Sequence, residues 1–206
     1  ALLGSRLPRH QKPVGPYLEV ALRAAEWADR RDAFEPGHAE RVASISAMMA
    51  DALGLPDGEA TALIRAAMLH DLGKVSFPVE VLRQKGPLDD EQMRLMRLHP
   101  ERGAALLRAL DSDDEVANAI EFHHERADGM GYYGKRGEDV PRLSKILSVA
   151  EAFDAMTTSL VRAPMTHDRA LAFLREQRGS QYDVDCVDAL MESARPRPTS
   201  VAYSEF

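Results

Sequence analysis

The sequence predicts an all-α domain, and three observations carry that prediction. Apolar residues recur at three- and four-residue spacing along almost the whole chain. No segment alternates with the period of two that a half-buried strand needs, and helix start and stop residues punctuate the pattern. The 206 residues suit one domain of ordinary size with short appendages, and an apolar content of 45% is enough to bury a core.

The elements follow in order. Tyr17, Val20, Ala21, Ala24 and Trp27 share one helical face, as do Val42, Ile45, Met49 and Leu53. Asp57, after Pro56, reads as an N-cap opening a helix through Leu63, Ile64, Ala67 and Met68, and one further step along that face reaches His70 and Asp71. Asp89 with Gln92 three residues on is a capping-box pair, opening a helix that carries Met93 and Met96. Pro100 disfavours helix at His99 and suits the first turn of a new one, so His99 stands at a helix junction. A helix over 113–125 carries Val116, Ile120 and the pair His123–His124, and the loop after it has four glycines between 129 and 137.

Pro141 opens a long helix through Leu143, Ile146, Leu147, Ala150, Phe153, Asp154 and Met156, and two shorter helices, about 167–178 and 184–193, flank Gly179. The main domain is therefore expected over 16–193. Residues 1–15 read as a connector to an upstream sensor or receiver domain, because the chain starts at Ala1 and this stretch is basic and proline-bearing; 194–206 read as a tail.

Charge and cysteine content narrow the function. With 26 basic and 33 acidic residues the net charge is −7, which argues against a protein that coats polymeric nucleic acid or an anionic membrane. An anionic ligand must be drawn by a local site. One cysteine, Cys186, excludes an internal disulfide framework and fits a reducing compartment, so a cytoplasmic location is expected. No apolar run approaches the roughly 18–20 residues of a membrane span.

The chemistry lies in the histidines and the acids beside them. Taken singly, each has a bland explanation: His38 as a satisfied core or surface residue, His70–Asp71 as a helix end, His123–His124 as a fraying terminus, Glu151 as half of a structural ion pair. Together they are imidazole and carboxylate donors without thiolates, a set that suits Zn, Mn, Fe or Ni and not a structural zinc knot. Adjacent helical residues diverge by about 100°, so His123 and His124 reach one cavity only if it is wide enough for more than one ion.

In their order, His38, HDLGK from His70 to Lys74, His99-Pro100, HHERADGMGYY from His123 to Tyr133 and SVAEAFDAMTTS from Ser148 to Ser159 resemble the HD-GYP family, a branch of the HD-domain metal-dependent phosphohydrolases. The resemblance spans about residues 16 to 193. It implies a helical bundle around a binuclear centre and hydrolysis of the bacterial second messenger cyclic di-GMP to linear pGpG, GMP or both. One divalent ion would be held by His38, His70, Asp71 and Glu151, the other by His99, His123 and His124, with Asp71 bridging; iron or manganese is the usual choice. A third ion would need a glutamate where this chain has Phe34. The resemblance also makes GGDEF-domain proteins candidate partners and leaves a homodimer open.

Two ions sharing a carboxylate also share a water of lowered pKa for in-line attack on phosphorus, with Asp71 at the reacting centre. Lys74, three residues after Asp71, projects from the same face if the helix continues; a solvated helix-end lysine is the alternative, and the motif favours a lysine that holds a phosphate oxygen. Tyr132 would stack on a guanine, and Arg162 is the remaining candidate for a second phosphate contact. Departures from the family pattern lie mainly on the substrate side, where Gly131-Tyr132-Tyr133 replaces Gly-Tyr-Pro and Ser159-Leu160-Val161-Arg162 replaces Arg-Pro-Tyr-Arg; on the central helix Lys145 stands where an arginine that would pair bidentately is usual. At the metal, Glu151 replaces an aspartate. These leave three readings open: an active cyclic di-GMP phosphodiesterase, an inactive receptor or scaffold for that dinucleotide or a GGDEF partner, and a phosphohydrolase of another nucleotide.

Overall fold

The computed structural model of the chain describes residues 16–31, 36–84, 86–110, 113–158 and 163–194. These form α1 (Pro16–Asp29), α2 (His38–Ala52), α3 (Asp57–Leu69), a 3-10 helix (Leu72–Ser76), α4 (Val79–Leu82), α5 (Asp90–Met96), α6 (His99–Ala109), α7 (Asp114–Glu121), a second 3-10 helix (Gly137–Asp139), α8 (Arg142–Thr158), α9 (His167–Glu176) and α10 (Val184–Ser193). Among the described residues the only β pairing is an isolated bridge between Arg178 and Tyr182, so the all-α expectation holds. The expected connector, tail, Phe34 and Arg162 lie outside the described residues.

Helix α2 is the axis of the bundle, packed against α3, α8 and α10, while α7 bridges α3, α6 and α8. Val42, Met49, Leu63, Leu107, Ile120, Ile146, Leu147 and Leu190 are buried at their contacts and form one continuous core. The capping box at Asp89 is present with both bonds: Gln92 N–H donates to Oδ1 of Asp89, and Asp89 N–H donates to Gln92 Oε1.

Four local expectations change. The buried face of α1 is Ala21, Ala25 and Ala28, whereas Val20 and Trp27 are exposed; methyl side chains let this helix lie close to its neighbours, and the Arg31 guanidinium covers the indole at 4.1 Å. Pro56, not Asp57, occupies the N-cap of α3. Helix α7 stops at Glu121, so His123 and His124 sit in the turn after it. Finally, α3 ends at Leu69, and Lys74 lies in a 3-10 helix, not on an extension of α3.

That 3-10 helix crosses α6 at Gly73 and Gly103. A Cβ on Gly73 would stand 2.0 Å from the carbonyl oxygen of His99, so only glycine permits this approach. The crossing draws His70–Asp71 and His99, 29 residues apart in sequence, to one place.

Candidate metal centre

Each histidine of the centre is held by its own local structure. Nδ1 of His70, His99 and His123 bonds to the carbonyl three residues earlier, on Ala67, Met96 and Ile120. A carbonyl only accepts, so each Nδ1 carries a proton, and in the neutral ring Nε2 offers its lone pair. His38 opens α2 behind Gly37, whose φ of 88° lies in the left-handed region. Its Nδ1 donates to Asp154 Oδ2 at 2.7 Å. Asp154 also accepts from Arg41 Nε at 2.7 Å and from Thr158 Oγ1, so the carboxylate that orients His38 is itself fixed.

The ligand atoms fall into two groups, each within 4.8 Å: His38, His70 and Asp71, and His99, His123 and His124. Asp71 lies between them, with Oδ2 3.4 Å from His70 Nε2 and Oδ1 3.4 Å from His99 Nε2. Lys74 Nζ donates to Asp71 Oδ2 at 2.8 Å. Glu151 reaches in from α8, with its carboxylate oxygens 3.6 Å from His123 Nε2 and 3.9 Å from His124 Nε2. Those contacts put the acid beside the histidines of the second group, although the sequence resemblance assigns it to the first ion.

The electrostatics fit a cation. His70 Nε2 and Asp71 Oδ1 are buried without a hydrogen-bond partner, since 3.4 Å is ion-pair range without bonding geometry. The Nε2 atoms of His99 and His123 face each other at 3.3 Å, both as lone pairs, a repulsive pairing that a shared cation neighbourhood relieves. Burial pulls His99 down to about 4, and burial with the neighbouring imidazoles holds His123 and His124 well below the usual histidine value, so all three are neutral at pH 7. Burial would raise the Asp71 carboxyl, but Lys74, His70 and His99 outweigh it and keep the group ionised. At His70, burial is overcome by Asp71, and the pKa rises to about 9. Three neutral imidazoles, an ionised carboxylate and buried donor atoms without partners together make a nitrogen–oxygen set suited to divalent transition metals.

At the mouth, the Tyr132 ring lies 4.7 Å from that of His124. The loop that carries it is anchored by Glu125, a buried acid to which the sequence reading gives no role. Its Oε1 accepts from Tyr133 N–H at 2.7 Å and its Oε2 from Lys135 N–H at 2.6 Å. A proline at 133 would have no N–H to donate, so the tyrosine that breaks the Gly-Tyr-Pro pattern supplies a tether of its own. Gly131 lies flat on Glu125, where a Cβ would meet its Cα at 2.6 Å. Asp154 and Arg41 also gain roles that sequence reasoning did not give them; their signal is spacing, Arg41 three residues after His38 and Asp154 three after Glu151.

Residues 24–186 match the family model described as the HD domain, and the chain belongs to that family. It is 37% identical to the cyclic di-GMP phosphodiesterase response regulator RpfG of Xanthomonas campestris pv. campestris, over 84% of this chain and 47% of the relative. To the 3'3'-cGAMP-specific phosphodiesterase 3 of Vibrio cholerae it is 32% identical, over 88% of this chain and 40% of the relative. An HDGYP protein from Bdellovibrio bacteriovorus shares the fold, with a TM-score of 0.67 at 21% identity over 85% of this chain and 62% of that one. The chain spans less than half the length of the two curated relatives. Among the described residues no helix is long and apolar enough to cross a membrane.

Proposed function

We propose that this chain is the catalytic domain of a metal-dependent phosphodiesterase acting on cyclic dinucleotides, with cyclic di-GMP as substrate and linear pGpG or GMP as product. The observation that carries the reading is Asp71: an ionised, buried carboxylate between two histidine groups, with one oxygen lacking a hydrogen-bond partner. The names of the relatives support the substrate class.

His38, His70 and Asp71 would hold one ion and His99, His123 and His124 the other, with Asp71 shared and Glu151 completing the set from α8. Iron or manganese suits these donors. When bound, two such ions supply Lewis acidity and a water of lowered pKa. The chain's own residues do the rest. Asp154 and the three backbone carbonyls keep the imidazole Nε2 atoms aimed inward. The Lys74 ammonium, buried beside Asp71, neutralises a non-bridging oxygen of the scissile phosphate. The Tyr132 ring offers a stacking face to a guanine. In the reaction a hydroxyl from water joins phosphorus as the bond to the ribose 3′ oxygen breaks, and that oxygen leaves with a proton.

The test is metal analysis of anaerobically purified protein together with product formation from cyclic di-GMP. Two bound metals, with hydrolysis lost in His70→Ala and Asp71→Ala, are expected. Full loading and tight dinucleotide binding without product would overturn the enzyme reading in favour of a receptor, which the altered Ser159–Arg162 segment favours. GGDEF-domain partners, a preceding regulatory domain, a homodimer and a cytoplasmic location remain part of the proposal.

A further inference from the structure

A cyclic dinucleotide carries two phosphodiesters on opposite sides of its macrocycle, and the centre described so far meets only one. Lys74 is buried against Asp71 and serves the phosphate at the metals. The second phosphate needs its own cation, on the mouth side. Outward from the metal histidines, the Tyr132 ring lies on His124, and the guanidinium of Arg97 lies 5.4 Å from the centre of the Tyr132 ring. Arg97 ends α5, two residues before His99, so its backbone is tied to the centre, while its side chain is exposed.

Other cations of this rim are engaged elsewhere. Arg126 pairs with Asp128, Lys135 sits over Phe122 at 4.6 Å, and Arg102 bonds Ser76 and lies over Phe77. Among the described residues no carboxylate lies within ion-pair distance of Arg97, whose guanidinium rests near the face of an aromatic ring. Its five N–H donors therefore stand at the mouth without an anion. Tyr132 cannot drift from this position freely, because Gly131 lies flat on Glu125 and the Tyr133 amide bonds the same carboxylate.

We infer that Arg97, held over Tyr132, binds the phosphodiester that is not being cleaved and so selects cyclic dinucleotides over substrates with a single phosphodiester. This rests on the phosphodiesterase reading above. Its guanidinium and the His124 ring both lie against the Tyr132 ring, which sets Arg97 close to the metal histidines, and a planar fork matches two phosphate oxygens where an ammonium meets them as a point charge.

The experiment compares metal-loaded wild type, Arg97→Ala and Arg97→Lys on cyclic di-GMP and on bis(p-nitrophenyl) phosphate, which has one phosphodiester. Loss of one charge-assisted contact should lower the ratio of kcat/KM for cyclic di-GMP over the small diester by about tenfold in Arg97→Ala, mostly through KM. Arg97→Lys should recover part of that ratio. An unchanged ratio in Arg97→Ala, whether both activities fall together or neither does, would overturn the assignment. Wild type that cleaves the small diester but no cyclic dinucleotide would instead sink the substrate reading, and this role with it, a result distinguishable because it needs no variant.

Discussion

Replacing Asp154 by asparagine keeps the shape of a buried side chain and removes its charge. In the wild type that carboxylate accepts from His38 Nδ1, Arg41 Nε and Thr158 Oγ1 at once. An asparagine has one accepting oxygen, so its NH2 must face one of these donors. The His38 bond is the buried one, and losing a charge-assisted bond there costs about 1.5–3 kcal/mol. Arg41 is 28% exposed, so its share is discounted for solvent screening. About 2 kcal/mol lowers the Tm of a domain this size by about 4–8 °C.

Freed from its acceptor, His38 can rotate or switch tautomer, and such changes typically cost 10- to 100-fold in metal affinity. Burial alone would raise the Asp154 carboxyl, but the bonds from His38 and Arg41 leave it below its ordinary value. A depressed folded value means the stabilisation is present above the unfolded pKa of about 3.9 and disappears as pH falls through the folded one. The gap between wild type and Asp154→Asn should therefore be constant near neutrality and close in acid. Chelator competition and thermal unfolding across pH measure both effects; a variant with wild-type affinity for both ions would refute the claim that Asp154 sets His38.

The remaining predictions concern the crossing, the loop, the second acid and pH. Gly73→Ala must push the 3-10 helix off the His99 carbonyl, costing at least about 1–3 kcal/mol, and should empty the centre in metal analysis. Glu125→Gln removes one of the two backbone acceptors of the loop and should raise KM for cyclic di-GMP severalfold while metal content stays at the wild-type level; a fall in metal content would refute the tether role. Glu151→Gln should lower metal occupancy, and unchanged stoichiometry and activity would remove Glu151 from the ligand set. In metal-free protein, His70 has its pKa raised to about 9, so its contribution is full below about 6.5 and is lost as pH rises through 9. Thermal scans of metal-free protein should show that decline, and metal-loaded protein should not, because the ion takes the Nε2 position of the proton.

The sequence made much of this legible. Helical periodicity placed α2, α3, α7, α8 and α10 within a few residues, and the capping pair at Asp89 marked α5 to the residue. Motif order picked out the seven proposed ligands. What it did not reveal depends on contacts between distant segments. The exposure of Val20 and Trp27 on α1 follows from alanines on the opposite face packing more closely, which periodicity alone does not rank. The end of α7 before His123 reflects the imidazole taking the Ile120 carbonyl, a competition invisible in propensities. The roles of Arg41, Glu125 and Arg97 arise from neighbours 113, 8–10 and 35 residues away along the chain.

The backbone tethers on His70, His99 and His123 have a consequence for the order of events. Fixing a free side chain at the moment of binding costs roughly 0.5–1.5 kcal/mol each. Here three rings are already anchored by folding to the carbonyl one turn back, so that loss of freedom is charged to the helices and not to the ion. An ion leaving the centre would find the same rings in the same poses on its return. Metal exchange then becomes a local event, in which one divalent ion replaces another in a standing cage while the bundle around it stays folded.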